Sequence, residues 1–154
     1  MTAAPSIRLA VGSDLDAVRA CVDAAYAPYV PRIGKKPAPM LADYGELIRQ
    51  GLVQVLERDG RCAAILVGFP EADHWFIENI AVDPRHQGQG LGKIVIDVAI
   101  AEARRLGLNS LLLYTNEAMT EALGFYRRLG FDEVDRRLED GFRRVYLRLA
   151  LTGG

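Results

Sequence analysis

Hydrophobic and polar positions change their period several times along the chain, and each change marks an element. Residues 142–151 alternate, with Val145, Leu147, Leu149 and Leu151 on one face, the pattern of a half-exposed strand. Residues 131–138 form a strand joined to it through Asp140-Gly141. Residues 53–56 and 62–69 flank Asp59-Gly60, where both turn positions tolerate positive φ, so they read as a hairpin. Residues 75–82 form a further strand that closes at Asp83-Pro84, and residues 7–11 and 111–114 are short strands.

Helical spacing appears elsewhere. In residues 91–106, Leu91, Val95, Ile96, Val98, Ala99, Ala103 and Leu106 share one broad face, against a narrow polar strip of Lys93, Asp97 and Arg104. So wide an apolar arc predicts a helix packed between the sheet and its neighbours, ended by Gly107. Residues 117–129 form a helix stopped by Gly130 with Phe131 just past it, the pattern of a Schellman cap. Ser13, with Asp16 three residues on, resembles a capping box for a helix through Val18, Val22 and Ala25, which stops near Pro28. Residues 28–39 hold four prolines with Arg32, Gly34, Lys35 and Lys36, and read as a loop. Residues 40–50 form a short helix that Gly51 ends. The order βαα-βββ-α-β-α-ββ predicts one α/β domain over residues 1–154, a mixed sheet with helices on both sides.

Composition narrows the classes. A chain of 154 residues, half hydrophobic and with a formal net charge of -1, suits a soluble globular domain. That balance gives no global attraction to nucleic acid or an acidic membrane. The first six residues lack the basic and apolar regions of a secretory signal, and no apolar run reaches the ~20 residues that span a bilayer. Cys21 and Cys62 read as reduced core thiols of a cytoplasmic protein, in preference to a disulfide that nothing in the sequence supports. His74 and His86 have no metal-ligand spacing with each other or with the cysteines, so no metal is expected. Both read as residues without chemistry, His86 as a solvent-facing loop residue.

Candidate chemistry centres on Gln87-Gly88-Gln89-Gly90-Leu91-Gly92, between the strand of residues 75–82 and the long helix. Alternating glycines let backbone approach a ligand, and the following helix aims its N–H groups at the same place, which makes an anion site. A dinucleotide fingerprint needs Gly-x-Gly-x-x-Gly after the first strand of a βαβ unit, and a P-loop needs Gly-Lys-Ser/Thr; neither is present. With Ile80-Ala81-Val82-Asp83-Pro84 before it and Phe125-Tyr126-Arg127-Arg128-Leu129-Gly130-Phe131 beyond, the chain resembles the GNAT superfamily of acyl-CoA-dependent N-acetyltransferases. The resemblance implies a predominantly antiparallel sheet with a central parallel pair, and acetyl-CoA as co-substrate.

On that resemblance, Gly88, Gly90, Leu91, Gly92 and Lys93 offer backbone donors to the pyrophosphate of coenzyme A, with side-chain donors from Gln87 and Gln89. Ile80, Ala81 and Val82 pair with the pantetheine arm, and the Val82 N–H polarises the thioester carbonyl. Glu78, in an apolar strand, is the candidate base that deprotonates the acceptor, or else a salt-bridge or solvent-facing residue. Asn79 points to the opposite face of a regular strand. Tyr126 is the candidate acid for the leaving thiolate, or else a core tyrosine. Where the family often has Asn, seven residues before the Tyr, this chain has Met119; the nearest asparagine, Asn116, caps the helix, contacts the cofactor, or both.

The acceptor is expected from the N-terminal half, among Tyr26, Tyr29, Arg32, Lys35, Met40 and Tyr44, although each alone also reads as a loop residue. Arg136, Arg137, Arg143 and Arg144 read as a solvated or subunit-contact face. The expected reaction is acetyl transfer to a small-molecule primary amine, without nucleic acid or membrane, in a chain that could pair as a homodimer through its C-terminal strands. The rival readings are a protein N-terminal or lysine acetyltransferase, and a non-enzymatic acyl-CoA sensor.

Overall fold

The computed structural model describes residues 6–151. Its strands are β1 (Ser6–Leu9), β2 (Val53–Arg58), β3 (Arg61–Glu71), β4 (His74–Val82), β5 (Ser110–Asn116), β6 (Asp132–Glu139) and β7 (Phe142–Ala150). Its helices are α1 (Leu15–Tyr26), α2 (Val30–Ile33), α3 (Tyr44–Arg49), α4 (Leu91–Arg105) and α5 (Thr120–Arg128). The strand order is β1-β2-β3-β4-β5-β7-β6. The pair β4–β5 is parallel, while β1–β2, β2–β3, β5–β7 and β6–β7 are antiparallel. The predicted mixed sheet is therefore the observed one.

Two compact units divide the chain: Met1–Gly68 with Asn79–Asp97, and Phe69–Glu78 with Val98–Gly154. In the first, Asp59 and Gly60 take φ of 54° and 74°, the turn that the Asp-Gly pair predicts. Ala63 to Val67 on β3 are consecutively buried, so both faces of that strand are covered. In the second unit, Leu111 and Leu113 face Leu149 and Leu147 across β5–β7. Leu111, Leu113 and Leu147 are fully buried, each stabilising the fold by roughly 1.5–3 kcal/mol. The other face carries Leu112 and Tyr114 opposite Arg148 and Tyr146.

Several local expectations need correction. Ser13 forms no capping box with Asp16; it lies in a 3-10 turn, Gly12–Asp14. Asp14 instead accepts from the Val11 N–H at 2.8 Å and binds Arg8, and those bonds hold its carboxyl down at about 2. Although residues 34–37 are irregular, residues 28–39 are not one irregular loop. They hold parts of the 3-10 turns Ala27–Tyr29 and Ala38–Leu41 and all of α2, because Pro28, Pro31 and Pro39 occupy first-turn positions, where a missing N–H costs nothing. Gly34, at φ 86°, ends α2. The helix expected from residue 40 begins at Tyr44, since Asp43 caps it by accepting from the Glu46 N–H at 3.1 Å. Leu106 falls just beyond α4 and is 41% exposed.

Candidate active site

In the first unit β4 runs into Asp83, whose N–H donates to the Ala63 carbonyl at 2.8 Å. The Asp83 carboxylate accepts from the Arg85 N–H and pairs with its guanidinium, which pulls its titration down. That clamp fixes the 3-10 turn Pro84–His86 ahead of the glycines. Gly88 and Gly90 take φ of 80° and 76°, a region that side chains resist. A Cβ at either would meet nothing within 4 Å, so open space lies beside the turn. The Ile94 N–H donates to the Gly90 carbonyl at 3.2 Å. The helical amides before it, at Leu91, Gly92 and Lys93, are those that α-geometry leaves without an internal acceptor. Buried Leu91 anchors the turn, while exposed Lys93 pairs with Asp97 at 3.0 Å.

A buried polar chain holds the β4 end in the same unit. The Tyr26 hydroxyl donates to Asn79 Oδ1 at 2.5 Å, with the Ile80 carbonyl also at 3.0 Å. Asn79 Nδ2 donates to the Tyr44 hydroxyl at 2.9 Å, and that hydroxyl donates to the Pro39 carbonyl at 2.6 Å. Asn79 is only 6% exposed, so these bonds replace the water it loses. The result ties α1, α3 and the Pro39 turn to the strand that carries Ile80, Ala81 and Val82.

In the second unit the parallel ladder pairs His74, Trp75, Phe76 and Ile77 with Ser110, Leu111, Leu112 and Leu113, and stops there. Glu78 and Tyr114 are the next residues on each strand. Neither the Glu78 carboxylate nor the Tyr114 hydroxyl has a hydrogen-bond partner among the described residues. Burial alone pushes the half-buried Glu78 carboxyl up. Tyr114 is raised too, chiefly by burial and also by the nearby Glu78 charge. The Tyr114 ring lies 5.9 Å from Phe76 and 5.4 Å from Tyr146, with the Arg144 guanidinium 4.3 Å over it.

Tyr126 is positioned by the helix stop that the sequence predicts. The Phe131 N–H donates to the Tyr126 carbonyl at 3.1 Å and the Gly130 N–H to Arg127 at 3.0 Å, the two bonds of a Schellman motif. Gly130 supplies the required left-handed turn at φ 101°. The Tyr126 ring is wedged 5.4 Å from Phe125 and 5.5 Å from Phe131.

Residues 19–131 match the Acetyltransferase (GNAT) family. The chain belongs to that family. It is 34% identical over 82 residues to the [ribosomal protein bS18]-alanine N-acetyltransferase of Escherichia coli (strain K12), covering 53% of this chain and 55% of that one. It is 48% identical over 52 residues to the mycothiol acetyltransferase of Geodermatophilus obscurus, covering 34% of this chain and 17% of that one. The chain thus spans about half or less of these curated relatives. The crystal structure of the E. coli ribosomal-protein-S18-alanine N-acetyltransferase matches with a TM-score of 0.76 and 25% identity, over 98% of this chain and 96% of that one. The PaiA N-acetyltransferase of Thermoplasma acidophilum, solved in complex with coenzyme A, shares the fold, with a TM-score of 0.78 at 13% identity over 94% of this chain and 98% of that one.

Within this GNAT chain, Ile80, Ala81, Val82 and Gln87 to Lys93 fall in the first unit, and Glu78, Asn116 and Tyr126 in the second. Asn116 does not cap α5 directly; its Oδ1 accepts from the Ala118 N–H at 2.9 Å, closing a turn that ends on the N-cap Met119. His86 is buried, not solvent-facing, and has no bonded partner at Nδ1. Tyr26 and Tyr44 are buried supports of Asn79 and do not line an open loop. Arg144 departs from the solvated cluster: its side chain is 12% exposed, stacked on Tyr114 and 3.5 Å from Glu139. Arg136 and Arg137 do stay at the surface, paired with Glu133 and Asp135. Cys21 and Cys62 are free thiols. No cluster of metal-ligating side chains exists among the described residues, and none of their helices is long and apolar enough to cross a membrane.

Sequence reasoning missed Asn79 and Tyr114. The signal for Asn79 was available, since an amide in an apolar strand needs a partner or a ligand, whereas a tyrosine in a strand is ordinary.

Proposed function

We propose that this chain transfers an acetyl group from acetyl-CoA to a primary amine of a small molecule, by direct attack in a ternary complex. The observation that carries the reading is Glu78: a half-buried carboxylate with no partner, at the first position past the β4–β5 ladder. Desolvation raises its affinity for a proton, the direction a general base needs. The open glycine turn fits a pyrophosphate, and β4 beyond Ile77 fits a pantetheine arm. Asn116 stands as a further contact for coenzyme A.

Glu78 takes a proton from the acceptor's ammonium, and the freed nitrogen lone pair bonds to the acetyl carbonyl carbon. The Val82 N–H supports the oxyanion that forms. As the C–S bond breaks, the Tyr126 phenol gives its proton to the departing sulfur and is reprotonated by the proton that the nitrogen sheds, leaving the neutral amide and the free thiol, while Glu78 returns its proton to water. An acyl-cysteine route is disfavoured at Cys21, because the neighbouring Cys62 and burial push its thiol up.

A protein α-amine is the second reading, favoured by the likeness to the E. coli S18-alanine enzyme over 98% of this chain. The test is calorimetric titration with acetyl-CoA, followed by the pH–rate profile of Glu78→Gln on whichever amine turns over. One-to-one binding and loss of the acidic limb are expected; an unmoved limb removes Glu78 as the base.

A further inference from the structure

Glu78 and Tyr114 present two hydrogen-bonding ends, side by side just past the last β4–β5 rung, that no described residue satisfies. Both residues are half-buried with their polar ends open to solvent, and two adjacent hydrogen-bonding groups on one sheet face make a place for a ligand's polar head. The apolar surroundings are equally specific. Half-buried rings of Phe69, Phe76, Tyr114 and Tyr146 follow one another across β3, β4, β5 and β7, at 5.6, 5.9 and 5.4 Å between centroids. Two cations are already fixed on this row: Arg144, 4.3 Å over Tyr114, and Arg137, 4.5 Å over Tyr146.

We propose that Tyr114 is the specificity-determining partner of Glu78, and that together they seat a primary monoamine carried on an apolar, preferably aromatic, body. This rests on the reading of Glu78 given above. The amine's N–H groups are divided between the Glu78 carboxylate and the Tyr114 oxygen, which aims the nitrogen lone pair. The body covers the exposed parts of the neighbouring rings, which aromatic surfaces favour. A diamine is disfavoured, because its second ammonium would meet Arg144 and Arg137, whose neighbouring carboxylates Glu139 and Asp135 are already engaged by them.

The test titrates 2-phenylethylamine, cadaverine and an alanine-initiated peptide into the full chain, with and without saturating coenzyme A. Wild type is compared with Tyr114→Phe, which keeps the ring and its packing. Phenylethylamine is expected to bind most tightly, and Tyr114→Phe to weaken it about tenfold, the loss of one hydrogen bond. The KM for acetyl-CoA should stay unchanged while the KM for the amine rises. Equal phenylethylamine affinity in wild type and Tyr114→Phe overturns the proposal. So does tighter binding of cadaverine or the peptide, or no amine binding at all. Amine binding without any response to acetyl-CoA would leave this subsite standing while the proposed transfer fails.

Discussion

Replacing Asn79 with alanine should destabilise the protein by about 3 kcal/mol, counted from the bonds it makes. The substitution deletes the acceptor of the Tyr26 hydroxyl and the donor to the Tyr44 hydroxyl, at 2.5 and 2.9 Å. Each is worth about 0.5–1.5 kcal/mol net. Neither tyrosine is orphaned, because Tyr26 keeps the Ile80 carbonyl at 3.0 Å and Tyr44 keeps the Pro39 carbonyl at 2.6 Å. The void left by the amide adds roughly 1 kcal/mol. Tyr26→Phe should cost about 1–2 kcal/mol, since it strips Asn79 Oδ1 of its hydrogen-bond donor. The double variant should lose about 1 kcal/mol less than the sum of the two, because both delete the same bond. Urea unfolding reads this through circular dichroism and Trp75, the single tryptophan, which is 3% exposed. At a slope of about 2 kcal/mol/M, the Asn79→Ala midpoint should fall by about 1.5 M. A midpoint within 0.3 M of wild type (about 0.6 kcal/mol at that slope), or strict additivity, would refute the network as a stabilising unit.

Other consequences are independent of that network. Glu78→Gln should raise stability at neutral and higher pH. Burial raises the folded carboxyl, so its favourable share is present at low pH and lost as pH climbs through the folded value. A thermal-melt series across pH for both proteins checks the sign. Gly90→Val should weaken acetyl-CoA binding more than tenfold while costing only about 1–2 kcal/mol of stability, since its φ of 76° strains a side chain but a Cβ meets no atom. Calorimetry with parallel unfolding separates the two effects. Gly130→Ala should cost about 1–2 kcal/mol, through its φ of 101° and a Cβ 3.4 Å from Leu149, and should lower kcat by loosening the stop that holds Tyr126. Tyr126→Phe should lower kcat and leave acetyl-CoA affinity nearly intact, as single-turnover rates with equilibrium titration will show.

What the sequence revealed was local. Asp59-Gly60, Asp140-Gly141 and Gly130-Phe131 define their turns through backbone conformations that few residues adopt, so they could be read without tertiary information. The glycine run was legible for the same reason. Residues 28–39 misled because prolines suggest irregular chain, yet three of them occupy first-turn positions that proline favours. His86 and Arg144 were misplaced because their burial depends on residues distant in sequence. Arg144 exchanges water for the Tyr114 ring and Glu139, contacts that no periodicity announces. Glu78 was singled out in advance by its charge in an apolar strand. Its neighbour Tyr114 was not, because a tyrosine in a strand is ordinary until its hydroxyl is found without a partner.

The most direct measurement is the appearance of free coenzyme A thiol when the acetyl-CoA-loaded protein is mixed with primary amines. Direct transfer through Glu78 predicts thiol release only when amine is present, one acetylated amine per thiol, and a rate that collapses in Glu78→Gln at neutral pH. Thiol release without amine, with acetyl retained on the protein, would contradict it, as would equal rates in Glu78→Gln and wild type.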